Sequence, residues 1–323
     1  MHPVLKIIVQ RLALGGFSLL AVSAVIFFSV SLLPGDYARN ILGQSATPEA
    51  VANLRHDLAL DRPAPERYGR WLMAAARGDF GTSFSGRDGG HGRAVSALVL
   101  PRFFNTLVLA ALAALVAIPA ALLLGIAAAI ARGRAADRLI NAVALTFVAM
   151  PEFLIAYVLI YWLAVRAGLF PPLASIHEDM SWGQRLHRLA LPVLTLSFVV
   201  LAHILRMTRA SLSELLGRPW METALLKGLP RRRRIVHHAL PNAWGPIVNI
   251  VAFNIAWLIT GVVVTEVVFV YPGIGQLMVD AVRSRDIPVV QACALIFAAV
   301  YIGLNLAADI IAIVTNPRLL HPK

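Results

Sequence analysis

Long apolar runs alternate along this chain with shorter polar, mostly basic segments. A bilayer core about 30 Å thick takes roughly 20 apolar residues in helical form. Leu12–Leu33, Thr106–Ala131, Leu189–Leu205, Ile247–Thr265 and Val289–Ala308 approach or exceed that length without an ionised side chain, allowing some slack at their ends. Leu139–Val165 also qualifies but carries Glu152 near its middle, directly after Pro151. The pattern predicts an all-α integral membrane protein with six transmembrane helices. The first run is too long for a cleaved signal peptide. Pro34-Gly35-Asp36 follows it without a small-residue cleavage pattern, so it is expected to remain as the first helix.

Between the first two runs, Pro34–Arg102 predicts a folded loop rather than a slack one. Thr47-Pro48-Glu49 supplies a capping hydroxyl, a proline suited to the first helical position and an acid in the first turn. That helix is expected to reach about Ala59, ahead of Asp61-Arg62-Pro63. A second helix is expected from Pro65 to Arg77, with Tyr68, Trp71 and Leu72 at helical spacing and Gly78–Gly81 ending it. Tyr68 and Trp71 are expected to pack on the membrane surface or the neighbouring span, with contact to a partner the alternative. The chain thus divides into residues 1–33 (N-terminal segment and first helix), 34–102 (extracytoplasmic helical loop) and 103–318 (membrane core), the last including a loop at 211–243.

Composition narrows the class. The chain is 59% hydrophobic and 14% charged, where a soluble domain carries about 25% charged residues. Too little polar surface remains to cover a water-facing globule of this size. The formal net charge of +12 raises nucleic acid as a partner. The cations cluster beside apolar runs, however, and no aromatic–basic platform accompanies them, so no nucleic-acid partner is expected. Arg132, Arg134 and Arg138 follow the second run, and Arg206, Arg209, Arg218, Lys227 and Arg231–Arg234 follow the fourth. The alternate loops balance their charges, as Glu178 and Asp179 do against Arg185 and Arg188. The basic loops and both termini are therefore expected in the cytoplasm. Cys293 is the only cysteine, which excludes an internal disulfide and any cysteine-built metal site. It reads as a small apolar packing residue.

The loop at 211–243 carries the most information. Gly217 ends one helix and Pro219 suits the start of another. Gly228 tolerates a left-handed cap and Pro230 stops continuation. A basic helix is then expected from Arg231 to about Leu240, before Pro241. Two short helices on a Gly-Leu-Pro hinge make a compact knob. Its readings are a docking point for a soluble partner, with Ala224 allowing close approach, or a hairpin whose arginines set orientation and bind anionic membrane lipid.

Glu222-Thr223-Ala224, Gly228 and Ala239-Leu240-Pro241 resemble the EAA loop of ABC importer permeases, with Thr223 in place of the consensus alanine. Along nearly the whole length, Arg11-Leu12, Leu33–Asp36, Thr47–Glu49, Leu60–Pro63, Gly78–Gly81, Ser83-Phe84, Arg206–Ser211, Lys227–Leu229, Glu266 with Phe269, Pro272–Gly275, Asp286 with Pro288 and Asn316–Arg318 are similar to the dipeptide/oligopeptide/nickel permease family. Asn316 stands where the family often has Asp. The resemblance implies a type I permease fold paired with a homologous second permease. It further implies two ATP-binding subunits or domains carrying ATP and Mg, and an extracytoplasmic solute-binding protein. Glu222, Thr223, Ala224, Lys227, Gly228, Leu240 and Pro241 would then couple to the ATPase. The cargo implied is peptides or similar solutes, with nickel chelates, opines and oligosaccharides as alternatives.

The residues add a constraint. A P-loop needs Gly-Lys before Ser or Thr. The lysines are Lys6, Lys227 and Lys323, none after a glycine, so the chain is expected to be no enzyme and to depend on another polypeptide for ATP. Charged groups inside spans usually face an interior or a wet cavity. Glu152 is expected either to meet cationic or amine-bearing cargo or to fix a helix contact. Glu266, Asn249 and Asn254 are further candidates for the route, with bracing of the outer loop the alternative for Glu266. Asn249, Asn254, Asn305 and Asp309 are expected to bond between helices. His177-Glu178 begins a zinc-protease pattern, but Ser181 stands where the second histidine belongs. His237 and His238 are adjacent and point about 100° apart on a helix, so no metal site is expected. A secondary transporter or channel would show inverted repeats, and none is visible.

Overall fold

The computed structural model describes residues 3–31, 46–57, 61–85, 92–177 and 179–314. The predicted features at Leu33–Asp36, Ala59, Leu60, Glu178 and Asn316–Arg318 lie outside these residues. The described chain is almost wholly helical. In order come α1 (Pro3–Ser31), α2 (Pro48–Asp57), α3 (Ala64–Ala76), α4 (Val95–Ile130), α5 (Ala135–Ala149), α6 (Glu152–Leu159), α7 (Trp182–Leu216), α8 (Pro219–Leu226), α9 (Arg231–Arg233), α10 (Leu240–Gly261), α11 (Val263–Val268), α12 (Ile274–Arg283) and α13 (Ile287–Val314). Wider π-helical turns at Ile160–Arg166 and Arg234–Ala239 extend α6 and join α9 to α10. Five described helices are long and apolar enough to span a membrane, and α5 with α6 makes a sixth if that bent pair counts as one span.

The bend departs from the single span expected at Leu139–Val165. The α5 and α6 axes turn by 106°. Met150 leaves the helix at φ −83°, ψ 132°, and Pro151 follows at φ −59°, ψ 143°. A proline ring crowds the residue before it out of the helical region and offers no N–H to continue the ladder. A break, rather than a kink, results.

A second departure runs the other way. The basic helix was expected to stop before Pro241, yet helix continues from Arg231 to Val268. Pro241 would clash with a carbonyl one turn earlier in a regular α-helix. The π-helical widening at Arg234–Ala239 immediately precedes it and gives the ring room.

The chain forms two compact units, one comprising 1–15, 105–272 and 300–323 and the other 16–104 and 273–299. In the first, α7 is the most deeply buried long helix. A capping box opens it: Ser181 Oγ accepts from the Gln184 backbone, and Gln184 Oε1 accepts from the Ser181 backbone. Leu109, Ala113, Ala117 and Ala121 place a mostly small stripe of α4 in the core, with Leu196, Val200 and Ile204 of α7. Small residues suit helices in lipid, where close packing replaces the hydrophobic effect as the main attraction. Gly125 shows how close α4 comes to α7, because an added Cβ would lie 2.9 Å from the Leu205 carbonyl oxygen. Phe147 of α5 stacks on Phe198 of α7 at 4.6 Å between ring centres. Arg11 of α1 pairs with Asp309 of α13 at 3.0 Å.

In the second unit, Thr47 Oγ1 accepts from the Ala50 amide and caps α2, as its sequence predicts. Gly78, at φ +79°, closes α3 in a Schellman motif: its amide bonds the Ala75 carbonyl and the Asp79 amide bonds that of Ala74. Tyr68 and Trp71 pack on the neighbouring span, within 5.6 and 5.7 Å of the Phe27 ring centre. Tyr68 and Ser23 share a hydroxyl–hydroxyl bond of 2.8 Å. Buried Asp286 accepts from the Ser83 hydroxyl and from the Phe84 and Ser85 amides at 3.2 and 3.1 Å. Cys293 is fully buried beside Val95, Ile274 and Val289.

Candidate functional site

Arg218 opens α8 in an extended conformation (ψ 147°), and Pro219 occupies the first turn. Glu222 and Thr223 are exposed, and the Thr223 hydroxyl donates to the Pro219 carbonyl at 3.3 Å. The Gly228 amide bonds the Leu225 carbonyl at 2.9 Å, and the Leu229 amide reaches back to that of Ala224 at 3.2 Å. That pair defines a Schellman cap, whose crossing residue must be left-handed. Gly228 meets the requirement at φ +74°.

The knob has a root that the sequence reading did not single out. Met221 is 1% exposed and packs with Ala129, Leu212, Ala239, Ala243 and Ile247. One signal was available: Met221 is a large apolar residue inside a polar loop. Partly buried Leu240 packs against the same cluster, whereas Pro241 and Lys227 are exposed. Arg231 donates toward the carbonyls of Ala129 and Arg132 at 3.5 and 3.4 Å, near the end of α4. Beyond that root, α8 leaves Trp220, Leu225 and Leu226 exposed, the last at 87%. A rigid stub with an apolar, uncovered tip can transmit force to or from something seated on it.

The residues considered for the route do not form one cluster. Glu152 is half-buried and accepts from the hydroxyl of fully buried Thr265 on α11. Glu266, next in sequence and fully buried, accepts from Thr106 of α4 at 2.5 Å. Asn105 donates to the Pro272 carbonyl at 2.8 Å, and the Tyr271 hydroxyl donates to the Asn105 carbonyl at 2.8 Å. Burial, and then the nearby Glu266 carboxylate, push the Tyr271 phenol far above its ordinary range, so it serves as a donor at any physiological pH. These contacts tie α11 and the residues after it to α4, and α11 to the start of α6.

Asn254 and Asn305 do not bond across helices as expected. Each donates 2.8 Å back to the carbonyl four residues earlier in its own helix, Ile250 and Tyr301. A short polar side chain in a helix has that carbonyl within reach wherever no partner faces it. Asp309 does bond between helices, to Arg11. Asn249 is exposed on α10. Asp137 was missed altogether, although one acid among Arg132, Arg134 and Arg138 was a visible anomaly. It is 4% exposed and takes a bidentate bond from Arg209 at 2.6 and 2.9 Å. Among the described residues no three His, Cys, Asp or Glu side chains are grouped to hold a metal ion.

Helices long and apolar enough to span a membrane, joined by a capped and rooted basic knob, define an integral membrane protein of the transporter class. Residues 121–321 match the family described as binding-protein-dependent transport system inner membrane component, and residues 4–110 match the N-terminal domain of such membrane components. The chain belongs to this family, and it is a permease subunit of an ABC importer. It is 34% identical to a probable peptide ABC transporter permease of Sinorhizobium fredii over 92% of this chain and 94% of the relative. It is 36% identical to a glutathione transport system permease of Salmonella paratyphi A over 94% of each. A dipeptide transport system permease of Escherichia coli K12 is 33% identical over 99% of this chain and all of the relative.

Proposed function

We propose that this permease imports short peptides or peptide-like solutes, and that its knob receives the work of ATP hydrolysis on partner subunits. The observation that carries the coupling role is α8 itself, rooted by Met221, closed by Gly228 and apolar at its tip. Glu222, Thr223 and Lys227 supply the polar positions of that stub, Ala224 allows close approach, and Leu240 and Pro241 begin α10 beside it. The partners are a second homologous permease, two ATP-binding subunits holding ATP and Mg, and an extracytoplasmic solute-binding protein. The excess of arginine in the α4–α5 and α7–α10 loops supports placing the knob and both termini in the cytoplasm. Residues 34–102 are then extracytoplasmic. Three aligned relatives named for peptide, glutathione and dipeptide transport support the cargo class. Uptake of a labelled dipeptide by cells expressing the complete transporter tests it. Uptake is expected to require this chain, to be competed by unlabelled dipeptide and glutathione, and to stop when ATP is depleted. Uptake that survives ATP depletion on an ion gradient would establish a secondary transporter, and competition only by nickel chelate or oligosaccharide would reassign the cargo.

Of the four residues proposed for the route, exposed Asn249 has the accessibility that lining demands. Bonds from Glu152 and Glu266 to other helices support bracing roles for them, while Asn254 is held on its own helix. Glu152→Gln keeps an acceptor for Thr265, so cargo preference and uptake rate are expected to stay within about two-fold, equivalent to about 0.4 kcal/mol. Glu152→Leu strands the Thr265 hydroxyl, which costs about 1–3 kcal/mol and is expected to lower the thermal unfolding temperature of the purified transporter. Altered cargo preference in the Gln variant would instead place the carboxylate on the cargo.

A further inference from the structure

A groove of about 360 Å³ lies between α5 and α7, lined by Asn141 and Leu145 from one and His203, Arg206, Met207 and Arg209 from the other. Its cations differ in what they already hold. Arg209 commits Nε and Nη2 to Asp137, leaving Nη1, and Asn141 donates to Asp137 as well. Arg206 makes no hydrogen bond or ion pair with any described residue. It follows the uncharged run Leu189–Leu205 directly, which sets it at the end of a span. An unpaired cation at that depth is costly unless it reaches headgroups or binds an anion.

The walls identify the anion. Leu145 and Met207 are each 50% exposed along the groove, so a basic head adjoins an apolar trough. A small soluble anion would use only the head. An anionic phospholipid uses both, and basic pockets between spanning helices on the cytoplasmic side hold such headgroups. We propose that this groove binds one anionic phospholipid, its phosphate gripped by Arg206, His203 and the free Nη1 of Arg209 and an acyl chain lying on Leu145 and Met207. The lipid would then act as a wedge between the broken span and the helix that leads into the knob.

Native mass spectrometry of the complete transporter, taken from vesicles of phosphatidylcholine containing a minority of phosphatidylglycerol, tests this. The wild type is expected to retain phosphatidylglycerol in preference to phosphatidylcholine. Arg206→Gln should weaken that retention about five-fold, the effect of one cation near a membrane surface. Arg206→Lys should keep most of it. Leu145→Trp, which fills the trough and leaves every charge, should lower it without touching the arginines. Arg232→Gln, a cation on the exposed knob, should change nothing. Equal retention by the wild type, Arg206→Gln and Leu145→Trp would overturn the proposal. Displacement of the lipid by a dipeptide at transport concentrations would overturn it in favour of a cargo site. If Arg206→Gln fails to assemble, Leu145→Trp decides alone.

Discussion

Gly228→Pro is expected to abolish uptake while the chain remains in the membrane with its partners. The argument is conformational rather than steric. A Cβ added at Gly228 meets no atom within 4 Å, so space is not what forbids other residues. The backbone stands at φ +74°, and proline is locked near −65°. Proline also removes the amide that bonds the Leu225 carbonyl. Once the crossing residue changes hand, the Leu229 amide loses Ala224 too, and α8 no longer ends where its tip needs it. The spans, whose packing lies elsewhere, should be untouched. Gly228→Ala provides the graded control. It retains the amide and pays only left-handed strain of about 1–2 kcal/mol, so it should reduce uptake by roughly 10-fold. The measurement pairs dipeptide uptake in cells with ATP hydrolysis by the purified transporter in vesicles. In the proline variant, hydrolysis should lose its response to loaded binding protein. Normal uptake by that variant would remove α8 from the coupling path.

The order in which features became legible follows the range of the forces that set them. The apolar runs, the Thr47 cap, the Gly78 and Gly228 closures and the two helices of the first loop each depend on residues within a turn or two. A single sequence displays these directly. Pro151 was visible as a disturbance, but its consequence was not. Whether a proline kinks a helix or breaks it depends on whether Met150 stays helical, and packing on both sides settles that. Pro241 shows the converse, because a π-helical turn absorbs it and the helix runs on. Polar side chains were hardest of all. Glu152 finds Thr265 across 113 positions and Arg209 finds Asp137 across 72, and no periodicity encodes such pairs. Asn254 and Asn305 bond the carbonyls of their own helices, with no bond across helices among the described residues. Arginines that voted together for orientation differ in what they hold. Arg231 reaches carbonyls near the end of α4, Arg209 holds Asp137, and Arg206 has no hydrogen-bond or ion-pair partner among the described residues.

Arg209→Ala is expected to give the largest loss of stability of any single substitution considered. Asp137 is 4% exposed, and four donors converge on it: Arg209 Nε and Nη2, the Gly133 amide at 3.1 Å and Asn141 Nδ2 at 2.7 Å. Removing the guanidinium leaves a buried carboxylate with neutral donors only. Breaking such a pair from one side costs about 3–5 kcal/mol. Arg209→Lys should recover only part, since an ammonium cannot reproduce the two-pronged fit. Asp137→Ala should cost less than Arg209→Ala, because Arg209 is 28% exposed and can turn toward water. The double variant separates pairing from packing. Its loss should fall short of the sum of the single losses by about 1–3 kcal/mol, read as thermal unfolding of the purified transporter. Strict additivity would show that each residue stabilises the fold alone. The pair fastens the start of α5 to α7, and α7 runs on through Leu216 into the knob. A variant rescued for stability at low temperature should therefore still show weakened coupling, because the lever would have lost one of its fixed points. Full coupling in that rescued variant would confine Asp137 and Arg209 to folding.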